Sequence, residues 1–250
     1  YSKKIISKYQ KFDNIRIIGM GGSVLGTEAI YNFLKKKIKK KFTFVNNLNS
    51  NADYFKDKNI NLNLIISKSG NTLETIANAN TLIKSKDSNI VITENKNSYL
   101  TDLAKKLKAE IFEHKNYVGG RYSVLSEVGM LPVELMNLNE NKFKQFNNLI
   151  KNKTFTNNLV NNVAATLNLI KNGKYTSVIL NYDEKSENLF KWYQQLIAES
   201  LGKKSKGILP IISSMPKDNH SLMQLYLDGP KKNFYTFFNV LDNRMIELNN

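Results

Sequence analysis

The sequence predicts an α/β fold in which parallel sheets are covered by helices. Short apolar runs alternate with helical patterns from residue 15 to residue 112, and the alternation resumes at residue 176. This order is typical of βαβ units, whose strands run parallel. The chain has 250 residues, of which 41% are hydrophobic, enough for one large core or two modest ones. Ligands of such sheets lie beyond the carboxyl ends of the strands.

Runs rich in Ile, Leu and Val predict five strands in the first half of the chain. They are Ile15–Gly19, Lys41–Val45, Leu62–Ile66, Asn89–Thr93 and Ala109–Phe112. Apolar residues at helical spacing predict the helices Val24–Lys37, Asn51–Lys56, Thr72–Lys84, Ser98–Leu107 and Val124–Leu135. Thr72 is the expected N-cap of its helix because Thr is a preferred capping residue.

The same patterns predict a second alternating unit. Its expected helices are Asn141–Ile150, Leu159–Ile170, Glu184–Leu201 and His220–Leu227, and its expected strands are Thr176–Leu180, Gly207–Ile212 and Asn233–Val240. Residues 137–155 are rich in Asn and Lys, which indicates a boundary region. We therefore expect two domains, 1–136 and 137–250.

Composition excludes several classes of function. The net charge is +16, but the Lys residues are scattered among Asn and Ile, so we expect no nucleic-acid partner. No apolar run approaches the length of a membrane span, so we expect no membrane partner. The chain has no Cys, hence no thiol nucleophile and no Cys-based metal site. A cytoplasmic location fits these features. Tyr1 stands where Met is expected, so we expect the true start to precede it.

Ser67-Lys68-Ser69-Gly70-Asn71-Thr72 is the segment around which the chain is organised. It follows a predicted strand and precedes a predicted helix, so it places hydroxyl and backbone N–H groups at a helix N-terminus. Such groups bind a dianionic phosphate well because the helix dipole also favours negative charge. An ordinary capped helix is the alternative, since Ser, Asn and Thr are common caps.

Gly19-Met20-Gly21-Gly22-Ser23 forms a second candidate loop between a strand and a helix. Glycines let a ligand approach the backbone, and Ser23 adds a hydroxyl. The spacing differs from the dinucleotide fingerprint because Val24 stands where the third glycine is required. A tight turn is the alternative. Both loops follow strands, which favours a phosphate site.

Three further residues stand out by type and position. Arg121 lies on a glycine-rich loop before a predicted helix, in a chain with few Arg residues, which suits an anion-binding role or a solvated Arg near a cap. Gln195 and Glu199 are four residues apart on a predicted helix and therefore share one face.

Five segments together resemble the glucose-6-phosphate isomerase (phosphoglucose isomerase) family, and they occur in the family's order. They are Gly21–Gly26, Ser67–Thr75, Val118–Ser126, Trp192–Lys203 and Asp218–Ser221. The resemblance implies two sugar-isomerase (SIS) domains, each a three-layer αβα sandwich with a parallel sheet, the second of them incomplete here. It also implies interconversion of glucose 6-phosphate and fructose 6-phosphate without a metal or an organic cofactor. The family's active site lies at a homodimer interface, with the histidine supplied by the neighbouring subunit.

The resemblance also assigns roles to individual residues. The substrate-binding residues are Gly22, Ser23, Ser67, Lys68, Ser69, Thr72 and Gln195. Glu199 matches the base that moves a proton between C2 and C1, Arg121 matches the positive charge beside the enediolate, and His220 matches the acid or base that opens the sugar ring. His114 matches no motif and is expected to be an ordinary polar residue.

Some positions depart from the family pattern. Asn71 stands where many members have Thr, and Asn219 stands where Gln is usual before the histidine. No segment matches the catalytic Lys that the family carries near its C-terminal end, so we expect a partial chain. Two alternatives stay open: another SIS-domain sugar-phosphate isomerase, and a non-catalytic sugar-phosphate sensor, which would need the phosphate loop but not the three catalytic residues together.

Overall fold

The computed structural model describes residues 3–48, 62–84 and 86–241, and these form two compact units. Unit 1 comprises residues 1–155 and unit 2 comprises residues 156–250. The helix expected at 51–56 lies outside the described residues. Within the described part of the chain, no helix is both long and apolar enough to cross a membrane.

Unit 1 contains a five-stranded parallel sheet with the strand order β2-β1-β3-β4-β5. The strands are β1 Asn14–Gly19, β2 Lys41–Val45, β3 Leu62–Ile66, β4 Ser88–Thr93 and β5 Glu110–Glu113. All five expected strands and their parallel arrangement are thus confirmed. Parallel sheets are normally covered on both faces, and this one is.

The two faces of this sheet pack against different helices. Alternate residues of a strand point to opposite faces: Ile17 joins one core cluster and Ile18 the other. The helices among the described residues of unit 1 are α1 Lys3–Ser7, α2 Leu25–Leu34, α3 Leu73–Leu82, α4 Tyr99–Leu107, α5 Glu127–Leu135, α6 Glu140–Lys144 and α7 Asn147–Lys151. Residues of α5 such as Leu131 lie in the first cluster, and residues of α3 and α4 such as Ala79 and Leu100 lie in the second.

Unit 2 contains a three-stranded parallel sheet with the order β7-β6-β8. Its strands are β6 Thr176–Asn181, β7 Leu209–Ser214 and β8 Asn233–Phe238, and its helices are α9 Glu187–Leu201 and α10 Met223–Asp228. A long helix, α8 Lys153–Lys171, precedes the sheet. The core includes Val178, Leu180, Met215 and Tyr226.

Helix starts differ from the predictions where side chains bind the backbone. Helix α5 begins at Glu127 rather than near 124 because the Ser126 hydroxyl accepts the N–H of Val128 at 3.4 Å. Helix α8 begins earlier than expected because the Asn152 side chain accepts the N–H of Phe155 at 3.0 Å. The expected helix 141–150 is divided into α6 and α7. Strand β7 lies two residues later than the expected 207–212.

The helix expected from His220 begins at Met223. Asp218 explains the delay: its carboxylate accepts the N–H of Ser214 at 2.8 Å and the hydroxyl of Ser221 at 3.2 Å. These bonds hold residues 214–221 as a turn, which contains the 3₁₀ segment Lys217–Asn219. The division between the two compact units falls at residues 155 and 156, inside α8.

Two turns of unit 1 touch through glycine backbone. The 3₁₀ turn Gly21–Ser23 precedes α2, and the 3₁₀ turn Gly120–Leu125 precedes α5. A Cβ atom placed on Gly22 would lie 2.2 Å from the carbonyl oxygen of Gly120, whereas one placed on Gly120 would meet no atom within 4 Å. Only the absence of a side chain at Gly22 therefore allows this contact.

Gly22→Ala should separate the two turns and destabilise unit 1 by about 1–3 kcal/mol, the usual cost of overpacking. Hydrogen–deuterium exchange of peptides spanning residues 14–26 and 118–130 should then become faster. Gly120→Ala is the matched control and should leave the exchange unchanged. Equal exchange in both variants would show that the contact at Gly22 is not tight.

His114 lies just after β5 and is buried, with 2% of its surface exposed. Burial lowers its pKa below the ordinary value of 6.5, and the nearby Lys68 lowers it further, whereas Glu94, Glu127 and the carbonyl of Lys115 act in the opposite direction. The unfolded chain therefore binds a proton at a higher pH than the folded chain does. Stability attributable to this group is complete above pH 6.5 and is lost as the pH falls below it.

His114→Asn should therefore flatten the pH dependence of unit 1 stability as the pH falls below 6.5, because Asn does not titrate. Asn can still donate to the carbonyl of Lys115, which lies 3.2 Å from His114 Nδ1. The test is the urea concentration at which half of unit 1 is unfolded, measured at several pH values by hydrogen–deuterium exchange of peptides from β3 and β4. A variant whose midpoint falls with pH as steeply as wild type would contradict the assignment.

Candidate functional site

Three turns meet at the carboxyl edge of the five-stranded sheet. Because Gly19 pairs with Ile66 and Ile66 pairs with Ile92, strands β1, β3 and β4 end side by side. The turns 20–23, 67–72 and 94–96 that follow these strands border a pocket of about 340 Å³. Its lining residues are Met20, Gly22, Ser23, Lys68, Ser69, Thr72, Glu94, Lys96 and Gly120.

The loop 67–72 is held by bonds among its own polar groups. The hydroxyls of Ser67 and Thr72 lie 2.8 Å apart, and Ser67 Oγ also accepts the N–H of Gly70 at 3.2 Å. Gly70 has φ of +70°, which favours glycine, and packs against Ser98. Asn71, the departure from the family pattern, accepts the N–H of Tyr99 at 2.9 Å and so ties the loop to α4.

Five of the six predicted phosphate-binding residues line the pocket. They are Gly22, Ser23, Lys68, Ser69 and Thr72. Ser67 is 2% exposed and does not line the pocket; its hydroxyl contacts that of Thr72 instead. Thr72 occupies the N-cap position of α3, as predicted, but its side chain makes no capping bond. Its hydroxyl instead lies 2.8 Å from that of Ser67.

Two charged residues of the pocket, Glu94 and Lys96, were missed by sequence reasoning. Glu94 Oε1 lies 3.7 Å from Lys68 Nζ, and Glu94 also forms an ion pair with Lys96. The hydrogen bond from Lys96 holds the pKa of Glu94 below its ordinary value, and the charges of Lys96, Lys68 and His114 act in the same direction. The available signal was position, since both residues follow a predicted strand at the ligand-binding edge.

Arg121 lies next to a residue of this pocket. It follows Gly120 in the 3₁₀ turn that packs on Gly22, and its guanidinium stacks on the Tyr122 ring at 4.5 Å. The Ser123 hydroxyl braces the turn, with carbonyl oxygens of Gly120 at 2.6 Å and of Gly22 at 3.3 Å. The turn therefore fixes the backbone from which Arg121 extends.

In unit 2, Gln195 and Glu199 lie one turn apart on α9, as predicted. Gln195 Nε2 donates to Glu199 Oε2 at 3.2 Å. Among the described residues, Gln195 Oε1 is buried and has no hydrogen-bond partner. A buried acceptor without a partner is costly unless a ligand supplies a donor, such as a sugar hydroxyl. Glu199 itself is exposed.

His220 follows the 3₁₀ turn after β7 and is exposed. Its backbone N–H donates to the carbonyl of Lys217 at 3.2 Å. The turn is braced by Asp218, which precedes the histidine by two residues and binds Ser214 at the end of β7. The side chain is thus presented from a fixed turn at the carboxyl end of a strand.

The arrangement in unit 1 suits an anion more than a metal ion. Hydroxyls, ammonium groups and a helix N-terminus border the pocket, and these are the usual ligands of phosphate. In the part of the chain that the structure describes, no group of three or more His, Asp or Glu side chains could hold a metal ion.

Sequence comparison agrees with this chemistry. A family model for phosphoglucose isomerase matches residues 6–212. The chain is 36% identical over 251 residues to the glucose-6-phosphate isomerase of Methanocaldococcus jannaschii, with 93% of this chain and 62% of the relative covered. It is 33% identical to that of Mycoplasmopsis synoviae, with 90% and 58% covered. The chain therefore spans about three-fifths of the length of these relatives.

Solved structures share the fold. A hypothetical protein of Thermus thermophilus superposes with a TM-score of 0.78 at 24% identity, covering 94% of this chain and 62% of that one. A glucose-6-phosphate isomerase of Chlamydia trachomatis superposes with a TM-score of 0.72 at 22% identity, covering 94% and 51%. The parallel α/β architecture, the strand-end pocket and the match over residues 6–212 agree, and the chain belongs to the phosphoglucose isomerase family.

Proposed function

We propose that the protein containing this chain interconverts glucose 6-phosphate and fructose 6-phosphate through an enediolate. The observation that carries this proposal is the pocket at the ends of β1, β3 and β4, formed by residues that match the family's phosphate loop. The reaction is an internal proton transfer and requires no metal or organic cofactor. The two units correspond, in this proposal, to a first SIS domain and a partial second one.

The phosphate group is held in unit 1. Ser23, Ser69 and Thr72 supply hydroxyl donors, Lys68 supplies charge, and the N-terminus of α3 supplies backbone N–H groups. The Ser67 hydroxyl lies 2.8 Å from that of Thr72 and holds it in position. Anchoring one end of the sugar fixes the reacting carbons, and such positioning can supply a large part of the barrier reduction.

The proton is moved by Glu199. In the open-chain aldose its carboxylate removes the C2 proton, and the electron pair forms the C1–C2 double bond of the enediolate. A proton passes from O2 to O1, and the same carboxyl group returns its proton to C1 to give the ketose. Gln195 donates to this carboxylate and thereby orients it. Its buried Oε1 atom is available to accept a bond from a sugar hydroxyl.

Arg121 and His220 complete the proposed chemistry. The guanidinium of Arg121 stabilises the negative charge of the enediolate, an electrostatic role for which a planar, always charged group is suited. His220 moves the proton that opens the sugar ring, because histidine titrates near neutral pH. As in the family, we assign the histidine of each site to the neighbouring subunit of a homodimer, and we place the enzyme in the cytoplasm.

Removing two hydroxyls of the loop should weaken substrate binding. We expect Ser69→Ala combined with Thr72→Val to lower kcat/KM for fructose 6-phosphate about 10- to 100-fold, because each hydroxyl donates to a charged phosphate. Thr81→Val, an exposed change in the same helix that removes a bond only to Ala77, is the control. Steady-state kinetics of the complete protein measures both. A double variant within about twofold of the control would refute the phosphate assignment.

Replacing the base should stop the reaction while leaving binding intact. We expect Glu199→Gln to lower kcat about 10²- to 10⁴-fold, the usual contribution of a general base, with fructose 6-phosphate still bound by calorimetry. Glu187→Gln is the control because Glu187 is an exposed carboxylate on the same helix, paired with Lys191 at 3.0 Å. Normal turnover in Glu199→Gln would remove Glu199 from the mechanism. A complete wild-type protein that binds the sugar phosphate without turnover would be a sensor.

A further inference from the structure

We propose that Glu94 is a fixed counter-charge inside the phosphate pocket, which lowers the affinity of that pocket for anions. The proposal rests on the assignment of the pocket to phosphate, and it adds a residue outside the family motifs that limits how tightly substrate and product are held. A carboxylate in a site for a dianion is unexpected, since the two repel.

Hydrogen bonds to the backbone of Lys68 place Glu94 against the loop 67–72. Its N–H donates to the carbonyl of Lys68 at 3.1 Å, and the Thr93 hydroxyl lies 3.4 Å from the same carbonyl oxygen. The Glu94 side chain is only 15% exposed and lies between two ammonium groups, 3.7 Å from Lys68 and in an ion pair with Lys96. The carboxylate is therefore part of the pocket wall and not a mobile surface group.

The charged residues that line the pocket explain why Glu94 should lower its affinity for anions. Lys68 and Lys96 bring two positive charges to the pocket and Glu94 removes one of them. The lowered pKa of Glu94 keeps it ionised at neutral pH, so this cancellation is permanent under working conditions. A dianion that enters the pocket competes with Glu94 for both ammonium groups.

A different role, in which Glu94 merely holds the lysines in place, predicts the opposite effect. The contacts of Lys68 argue against it. Lys68 Nζ also donates to the carbonyl of Asn116 at 2.8 Å, so its position does not depend on Glu94. Lys96 is exposed, and once released from Glu94 it can turn towards a phosphate. Removal of the carboxylate should therefore strengthen binding rather than disorder the site.

Phosphate binding to the complete protein tests the proposal without relying on turnover. Titration calorimetry with inorganic phosphate should show that Glu94→Gln binds about three- to tenfold more tightly than wild type. Lys96→Gln should bind more weakly, and the cost of losing Lys96 should be larger when Glu94 is already replaced, because the lysine is then no longer neutralised. For fructose 6-phosphate, Glu94→Gln should lower KM without raising kcat, as expected for binding that is uniform along the reaction.

Glu113→Gln is the matched control. Glu113 lies in the same unit and pairs with Lys115, but it does not line the pocket, so its loss changes the net charge equally without changing the wall. It should bind phosphate as wild type does. Weaker binding by Glu94→Gln, or binding equal to that of Glu113→Gln, would overturn the counter-charge role while the phosphate site itself stood. Failure of wild type and all variants to bind phosphate would overturn both this inference and the proposed function.

Discussion

The parallel register of β1, β3 and β4 is the constraint on which the site depends. Because these neighbouring strands end together, the turns that follow them converge on one pocket although they are distant in sequence. Parallel strands buried on both faces must be apolar almost throughout, and β3 is buried at every residue. The buried polar side chains within the strands bond to one another, as Arg16, Asn63 and Asn89 do, so the groups that can face a ligand are those that follow the strand ends. A register shift of one residue would separate the loop 67–72 from the turn 20–23.

Backbone contacts between turns position the pocket on this sheet, and we propose that the balance of charges in the pocket sets its affinity for anions. The contact between Gly22 and Gly120 joins the turn 20–23 to the turn that carries Arg121. The side chains of Ser67 and Asn71 hold the loop 67–72 in place. In our proposal, the lysines and Glu94 then set how strongly an anion is held. Unit 2 contributes a carboxylate–amide pair on α9 and a histidine on a turn braced by Asp218. In the proposed mechanism, the phosphate-binding groups and the proton-moving groups are therefore carried by different units of the chain.

The strands were predictable because their burial leaves a strong local pattern, and the glycine and serine loops because they follow those strands. Helix starts were less predictable, since they depend on single capping bonds such as those of Ser126, Asn152 and Asp218. Ser67 illustrates a further limit: its residue type suits a phosphate ligand, but burial directs its hydroxyl to Thr72. Glu94 and Lys96 were missed because their position after a strand was the available signal, and residue type alone does not separate such a charged pair from a solvated surface pair.

In the proposed mechanism, the strand-end pocket of unit 1 holds the phosphate of a sugar phosphate. A crystal structure of the complete protein with fructose 6-phosphate tests this most directly. Phosphate oxygens should lie within hydrogen-bond distance of the hydroxyls of Ser23, Ser69 and Thr72, with the Ser67–Thr72 bond preserved. A phosphate group bound elsewhere, with this pocket occupied only by solvent, would contradict it.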